Sequence, residues 1–278
     1  MSQSNYREFE EMASRLRVDV IKAVHKAGSG HPGGSLSIAD VVTALYFKEM
    51  NINPEDPKME GRDKLILSKG HAAPIQYAAL AERGFFPVED MMSLRKMGSA
   101  FQGHPNMYKV PGIEMSTGSL GQGISVSVGM ALANRLKNDS GRVFTILGDG
   151  ELQEGLVWEA AMSAAHYKLS NLVAIVDWNG LQIDGANDDV MKVSPIDEKF
   201  RSFGWNVLTC DGHDFESIFN ALDEARELAG KEEKPVAIVA KTVKGRGVSF
   251  MENEAGWHGK APDEEQAKAA VEELGGEW

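Results

Sequence analysis

Two short segments carry oxygen-bearing side chains beside glycine, each directly after an apolar run. They are Gly148-Asp149-Gly150 and Asp177-Trp178-Asn179-Gly180. Because ligands of parallel α/β sheets bind beyond the carboxyl ends of the strands, we expect the oxygens of Asp149 and Asn179 to meet. Magnesium prefers such hard oxygen ligands and often keeps substrate phosphates in its coordination shell. The glycines and the N-terminus of the next helix favour the approach of phosphate groups. The pattern therefore predicts a magnesium–diphosphate site.

Histidine placement is the second informative feature of the chain. Two of the seven histidines, His25 and His166, fall within helical patterns and are interpreted as structural. The other five lie beside glycine in predicted loops. Any one of them could cap a helix, but loops at strand ends are where binding residues concentrate. Imidazole can also donate, accept or move protons near neutral pH. We expect a polar pocket lined by these five: His31, His71, His104, His213 and His258.

Several charged residues are ambiguous by position alone. Asp149 could by itself be a helix N-cap. Glu151 and Glu154 fall in a predicted first helical turn, where carboxylates are favourable without any catalytic role. Lys69 and Lys244 flank glycines and could hold phosphate oxygens or lie solvated on the surface. No metal-binding His-Glu-x-x-His or Cys-x-x-Cys spacing occurs, and the glycines of 118–123 do not match the dinucleotide fingerprint, so zinc and nicotinamide enzymes are disfavoured.

These residues are separated by alternating strand and helix patterns. Apolar spacing predicts a helix over 6–27, a second helix starting near Ser37, and further helices over 195–203 and 215–228 and from Pro262. Strands are predicted over 64–67, 143–147, 172–176, 205–209 and 235–241. The region 98–118 looks irregular, and the turn 118–123 opens a helix of small residues. Alternation of this kind predicts a doubly wound α/β fold, with a mostly parallel sheet and helices on both faces.

Composition limits the function classes. The chain has 278 residues and a net charge of −12, which argues against nucleic-acid and membrane-surface partners because both require a basic face. Cys210 is the only cysteine, so the chain cannot form an internal disulfide and suits a reducing compartment. The N-terminus lacks the apolar core of a signal peptide, and no apolar run reaches transmembrane length. We expect a cytoplasmic protein.

The motifs, taken together and in order, resemble the transketolase family. Gly148-Asp149-Gly150 followed after 28 intervening residues by Asn179 is similar to the thiamine diphosphate signature. Two departures are Ser119, where proline is common in the family, and Leu181, where isoleucine is frequent. The other matching segments are Ser29-Gly30-His31-Pro32-Gly33, Ser68-Lys69-Gly70-His71-Ala72, Gly103-His104-Pro105, the turn 118–123, Asp211-Gly212-His213-Asp214 and Trp257-His258-Gly259-Lys260.

The resemblance implies a thiamine diphosphate-binding fold and roles for particular residues. It implies that Asp149, Asn179 and the backbone carbonyl of Leu181 hold Mg²⁺ or Ca²⁺. It implies that His31, His104 and His258 line the donor-sugar pocket, and that Glu154 joins a carboxylate network at a subunit interface. The residues that it places against the cofactor are Lys69, His71, Gly118, Leu120, Gly150, Glu151, Asn179, Lys244 and His258.

The resemblance covers only the family's N-terminal, diphosphate-binding module, here expected as one domain over residues 1–278. It implies a split enzyme in which a partner C-terminal subunit supplies the pyrimidine-binding module and its glutamate, in a heterotetramer. This chain alone is then expected to be inactive. The implied reaction moves a two-carbon ketol unit between sugar phosphates in the pentose phosphate pathway. Alternatives are a dihydroxyacetone synthase, a deoxyxylulose phosphate synthase-like enzyme, and a non-catalytic, cofactor-binding regulatory subunit.

Overall fold

Five parallel strands form the main sheet of the computed structural model, which describes residues 6–278. The strands are β1 (Lys64–Leu67), β2 (Val143–Gly148), β3 (Leu172–Trp178), β6 (Asn206–Asp211) and β7 (Val236–Lys241), in the order β1-β2-β3-β7-β6. A separate antiparallel hairpin pairs β4 (Leu181–Gln182) with β5 (Gly185–Ala186). The predicted fold class and all five predicted strands are confirmed, with boundaries shifted by one or two residues.

Ten α-helices accompany these strands in the described residues. They are α1 (Arg7–Ala27), α2 (Pro32–Ser37), α3 (Ala39–Ala44), α4 (Ala73–Glu82), α5 (Gln122–Leu136), α6 (Gly155–His166), α7 (Asn187–Val190), α8 (Ile196–Ser202), α9 (Phe215–Lys231) and α10 (Glu264–Glu273). Within residues 6–278, no helix has both the length and the apolar character that crossing a membrane requires. Residues 1–5, part of the segment that argued against a signal peptide, lie outside the described residues.

Side chains of the sheet alternate between two apolar cores. Phe144, Ile146 and Ile175 face a core shared with α1, α3, α4, α9 and α10. Leu147 and Val176 face a second core shared with α5, α6 and α8. Burial on both faces explains why β2 and β3 read as continuous apolar runs instead of alternating patterns. The two cores hold the strand ends rigidly and so fix the loops that follow them.

The helices differ from the sequence-based prediction in two places. A short helix that was not predicted, α2, begins at Pro32, because proline fits the first helical position, where its missing N–H needs no partner. The helix predicted to start near Ser37 is α3, which begins at Ala39. After β2, a 3₁₀ turn (Gly150–Gln153) precedes α6, which begins at Gly155. Asp149 caps that 3₁₀ turn, and Glu154 is the N-cap residue of α6. Glu151 and Glu154 therefore do not share one first helical turn.

Candidate active site

The carboxyl ends of β1, β2, β3 and β7 lie at one edge of the sheet because these strands are parallel. The loops that leave them surround a cavity of about 180 Å³. Most of the residues predicted for the site line this cavity: Lys69, His71, Leu120, Asp149, Gly150, Glu151, Glu154, Asn179, Leu181, Lys244 and His258. Parallel pairing thus brings together segments that are distant in the sequence, from Lys69 to His258.

Hydrogen bonds to the side chain of Asp149 hold the turn that follows β3 in place. Its Oδ1 accepts a hydrogen bond of 2.8 Å from the N–H of Gly150, and its Oδ2 accepts one of 2.5 Å from the N–H of Gly180. Gly180 has φ +77°, a left-handed conformation that favours glycine. Asn179 Oδ1 accepts from the N–H of Leu181 at 3.1 Å. A carboxylate, an amide oxygen and a backbone carbonyl are thereby held on adjoining turns.

The residues present fit a divalent cation here. Burial, followed by the nearby charge of Asp177, raises the pKa of Asp149 to about 6, so a cation would relieve an unfavourable buried charge. The carbonyl of Leu181 already accepts from the ammonium of Lys244 at 3.1 Å, so this position attracts positive charge. Asn187 is 3% exposed, and its amide faces Asp149 without a hydrogen bond of ordinary length to any described residue. These hard oxygen donors match magnesium chemistry.

Asp177 is a site residue that the sequence reasoning missed. It is fully buried and accepts from Lys69 Nζ at 2.5 Å, from Ser37 Oγ at 2.6 Å and from Thr242 Oγ1. Burial opposes ionisation of Asp177, but Lys69 and the hydroxyls of Ser37 and Thr242 together outweigh it and lower the pKa. Lys69 also donates to the carbonyl of Gly34 at 2.6 Å. A carboxylate at the end of an otherwise apolar strand was the signal available in the sequence.

The carboxylate of Glu151 is hydrogen-bonded to three separate segments of the chain. Its carboxylate accepts from Ser68 Oγ at 2.5 Å and from the N–H groups of Gly121 at 2.8 Å and Gly148 at 3.1 Å. Burial raises its pKa, because these donors and the nearby charge of Lys69 compensate the buried charge only in part. Both oxygens are therefore engaged within the chain, and its expected contact with a cofactor stays a prediction. Glu154, by contrast, is exposed at the rim of the cavity.

Four of the five loop histidines form one group beside the cavity. The ring centroid of His31 lies 5.3 Å from that of His71, 6.5 Å from that of His104 and 5.5 Å from that of His258. The rings of His71 and His258 are 4.9 Å apart. Gly118 is packed against His104, where a Cβ would come within 3.1 Å of the ring. The chain thus presents four imidazoles to one space, as expected for a polar pocket.

The prediction that His213 belongs to this pocket is wrong. His213 follows β6, the edge strand of the sheet, and is bonded on both ring nitrogens. Nδ1 lies 2.7 Å from Asp40 Oδ2, and Nε2 accepts from the N–H of Val243 at 2.8 Å. The ring therefore links α3 to the loop after β7. The glycine beside it resembled the other four sites, but its position in the strand order differs.

The four grouped histidines are neutral at neutral pH. Burial lowers the pKa of His31 to about 4 and that of His258 to about 3, and nearby positive charges add to both effects. Burial also lowers the pKa of His71 and of His104. A neutral imidazole has one donor and one acceptor nitrogen. The group can therefore hydrogen-bond a polyhydroxylated ligand without adding positive charge.

Comparison with known proteins identifies similar chains. The family profile described as transketolase, thiamine diphosphate binding domain, matches residues 9–277. The chain is 43% identical over 267 residues to the 6-deoxy-6-sulfo-D-fructose transketolase subunit of a Clostridium species, covering 96% of each chain. It is 41% identical to an apulose-4-phosphate transketolase subunit from Phocaeicola vulgatus, covering 95% of this chain and 93% of that protein.

A solved structure is similar over the whole fold. The transketolase of Campylobacter jejuni superimposes with a TM-score of 0.91 at 34% sequence identity. The match covers 98% of this chain and 43% of that one. The chain therefore spans less than half of that transketolase but nearly the full length of the two relatives that are named as subunits.

Proposed function

The chain belongs to the transketolase family, and we propose that it is the cofactor-binding subunit of a two-chain transketolase, with residues 1–278 forming one diphosphate-binding domain. The observation that carries this proposal is the cavity at the carboxyl edge of the sheet, with Asp149, the turn 179–181, Lys69 and Lys244 around it. The relatives named as subunits support the division into two chains. The proposed partner carries the pyrimidine-binding module, and pairs associate into a heterotetramer.

The reaction we propose moves a two-carbon ketol unit from a ketose to an aldose phosphate. When bound, thiamine diphosphate supplies the carbanion chemistry of that transfer. Asp149, Asn179 and the carbonyl of Leu181 would hold the Mg²⁺ (or Ca²⁺) that neutralises the diphosphate. Lys69 and Lys244, both 2% exposed, place positive charge beside it. His31, His104 and His258 would bind the sugar hydroxyls as neutral donors and acceptors.

Two groups of ketose are candidate donors. The sequence resemblance favours the pentose phosphate pathway, with xylulose 5-phosphate and ribose 5-phosphate. The two subunit relatives are named for 6-deoxy-6-sulfo-D-fructose and apulose 4-phosphate, so related ketoses are second candidates. The buried, free thiol of Cys210 fits a reducing compartment, and we propose the cytoplasm.

The test is a ketol-transfer assay with each ketose, in the presence of Mg²⁺ and thiamine diphosphate. It is run on this chain alone, on its candidate partner alone and on the mixture. We expect transfer only in the mixture. Transfer by this chain alone would overturn the proposed division of the site between two chains. Cofactor binding without transfer of any ketose would instead favour the regulatory alternative.

A further inference from the structure

Arg95 has a backbone conformation that is unusual for its residue type. Its φ is +58°, in the left-handed region that favours glycine, and its N–H donates to the carbonyl of Phe101 at 2.8 Å. Non-glycine residues in this region cost free energy and occur where the surrounding structure enforces them. The direction of the Arg95 side chain is therefore set by its loop.

The guanidinium of Arg95 packs directly against the backbone of Gly103. A Cβ at Gly103 would lie only 2.4 Å from Arg95 Cζ, so any larger residue at that position would displace the guanidinium from where it now lies. The segment around Gly103 is held in place by the Tyr77 hydroxyl, which contacts the carbonyls of Gln102 at 2.9 Å and His104 at 3.0 Å. The loop thus holds both Arg95 and His104 in fixed positions.

From this position, the Arg95 side chain contacts the ring of His31. Its Nη2 lies 3.4 Å from Nδ1 of His31, and its buried Nε has no partner. A guanidinium can only donate, so the Nδ1 that faces it must carry a lone pair. The proton of neutral His31 is then on Nε2. Gly259 leaves space beside that atom, since even a Cβ there would be 3.5 Å from Nε2.

The groups that face His31 are all neutral or positive. They are Arg95, Lys244 and the rings of His71, His104 and His258. Burial lowers the pKa of His31 to about 4, and the positive charge of Arg95 is the next largest cause. Burial and Arg95, in that order, also lower the pKa of His104. The charges thus favour neutral His31, and the contact geometry selects one tautomer of it.

We propose that Arg95 is a positioning residue that fixes His31 as the Nε2–H tautomer, so that His31 donates a hydrogen bond to an oxygen of the ketose donor. The ligand in this inference rests on the proposed function. The tautomer is a property of this chain and can be measured without cofactor, partner or substrate.

The first test is NMR of the full chain labelled with ¹⁵N-histidine, with His31→Gln used to assign the His31 signals. In the wild type we expect His31 as Nε2–H, without protonation at pH 6. In Arg95→Met we expect the Nδ1–H tautomer to appear and the His31 pKa to rise. The matched control is Lys96→Met, which removes an exposed positive charge from the neighbouring residue and should change neither. An unchanged tautomer and pKa in Arg95→Met overturns the proposal.

Arg95→Gln keeps the proposal testable if the methionine variant fails to fold. The glutamine amide is polar but uncharged, and it can both donate and accept, so it does not require a lone pair on Nδ1. We therefore expect a raised His31 pKa together with a mixture of tautomers. A pure Nε2–H tautomer in Arg95→Gln would show that a donor-only group does not select it, and would overturn the positioning role.

The second test measures ketol transfer by the two-chain enzyme as a function of pH. We expect Arg95→Met to lower kcat/KM for the ketose about tenfold to a hundredfold, by analogy with the loss of a group that orients a metal-binding histidine. The acid limb of that profile should move to higher pH, and KM for the aldose should not change. If the NMR result holds while no ketose reacts with the wild-type complex, the proposed function fails and the tautomer assignment stands. A normal profile in Arg95→Met overturns its role in donor binding.

Discussion

Two clusters of buried charges illustrate how the same residue types serve different purposes. The closed cluster consists of Arg17, Asp40 and His213, and the open cluster consists of Lys69, Asp149, Asp177 and Lys244. Arg17 donates to both oxygens of Asp40, at 2.9 and 2.6 Å, and to the carbonyl of Leu36 at 3.3 Å. His213 completes the closed cluster with both ring nitrogens bonded. Almost every polar group in it has a partner.

The residues of the open cluster line the cavity, and some of their charged groups are not fully compensated within the chain. Among the described residues, Lys69 uses two of its three donors, on Gly34 and Asp177. Asp149 retains an unfavourable charge, in line with its raised pKa of about 6, and the amide of the neighbouring Asn187 makes no hydrogen bond of ordinary length. Buried polar groups are usually satisfied, so unsatisfied ones gathered at a cavity indicate a ligand. We expect substitutions in the closed cluster to affect stability alone, and those in the open cluster to affect binding.

The largest loss of stability is expected from Lys69→Met. It leaves the fully buried Asp177 without its cation and should cost about 3–5 kcal/mol, as for other broken buried pairs. Urea unfolding would measure this loss, and titration calorimetry should show no thiamine diphosphate binding. The double variant Lys69→Met with Asp177→Asn is the control. It should recover much of the stability but none of the binding, and recovery of both would contradict assignment of Lys69 to the cofactor.

Arg17→Met should disrupt the closed cluster with a somewhat smaller loss of stability than Lys69→Met. We expect about 3 kcal/mol, the lower end for a broken buried pair, because the Nδ1–H of His213 still donates to Asp40. Cofactor affinity, measured in the same way, should stay within about twofold of the wild type, well under the tenfold that corresponds to 1.4 kcal/mol. A large loss of affinity in a folded Arg17→Met chain would contradict the division into two clusters.

Acid should weaken the closed cluster over a defined pH range. Burial opposes ionisation of Asp40, but Arg17 and His213 outweigh it and lower the pKa from 3.8 to about 2. A lowered carboxyl pKa stabilises the fold above pH 3.8, and this stability is lost as pH falls towards 2. The shift corresponds to about 2 kcal/mol. Unfolding measured in steps from pH 5 to 2 should show a shallower decline in Asp40→Asn, and an equal slope would exclude Asp40 as the source.

Asp149→Asn should change stability least and still abolish metal-dependent binding. Removing the buried charge is favourable at neutral pH, but one of the hydrogen bonds from Gly150 and Gly180 loses its acceptor. We expect a net change within about 1 kcal/mol, since a single hydrogen bond contributes a similar amount. Calorimetry with Mg²⁺ and thiamine diphosphate should detect no metal-dependent binding. Full metal-dependent affinity in this variant would remove Asp149 from the proposed metal site.

Local patterns in the sequence were sufficient for most elements of the fold. The apolar runs at 143–147 and 172–176 predicted β2 and β3, and apolar spacing predicted α1 and α9. Glycine beside Asp149 and Asn179 indicated the ligand edge, because the loops that follow parallel strands meet there. The short helix α2 was missed, since no helix was predicted between residue 27 and Ser37, whereas one begins at Pro32.

Only the tertiary structure distinguished histidines with similar local sequences. His31 and His213 both lie beside glycine, but one faces three other imidazoles and the other is bonded to Asp40 and Val243. The order of strands in the sheet decides this difference, and strand order is not encoded in any short segment. The contact of Arg95 with His31 likewise depends on a left-handed residue and on the missing Cβ of Gly103. The sequence by itself determined which residues could perform the chemistry, through their types and their places at strand ends. Packing decided which of them keep a free bonding group beside the cavity, because that depends on neighbours distant in the chain.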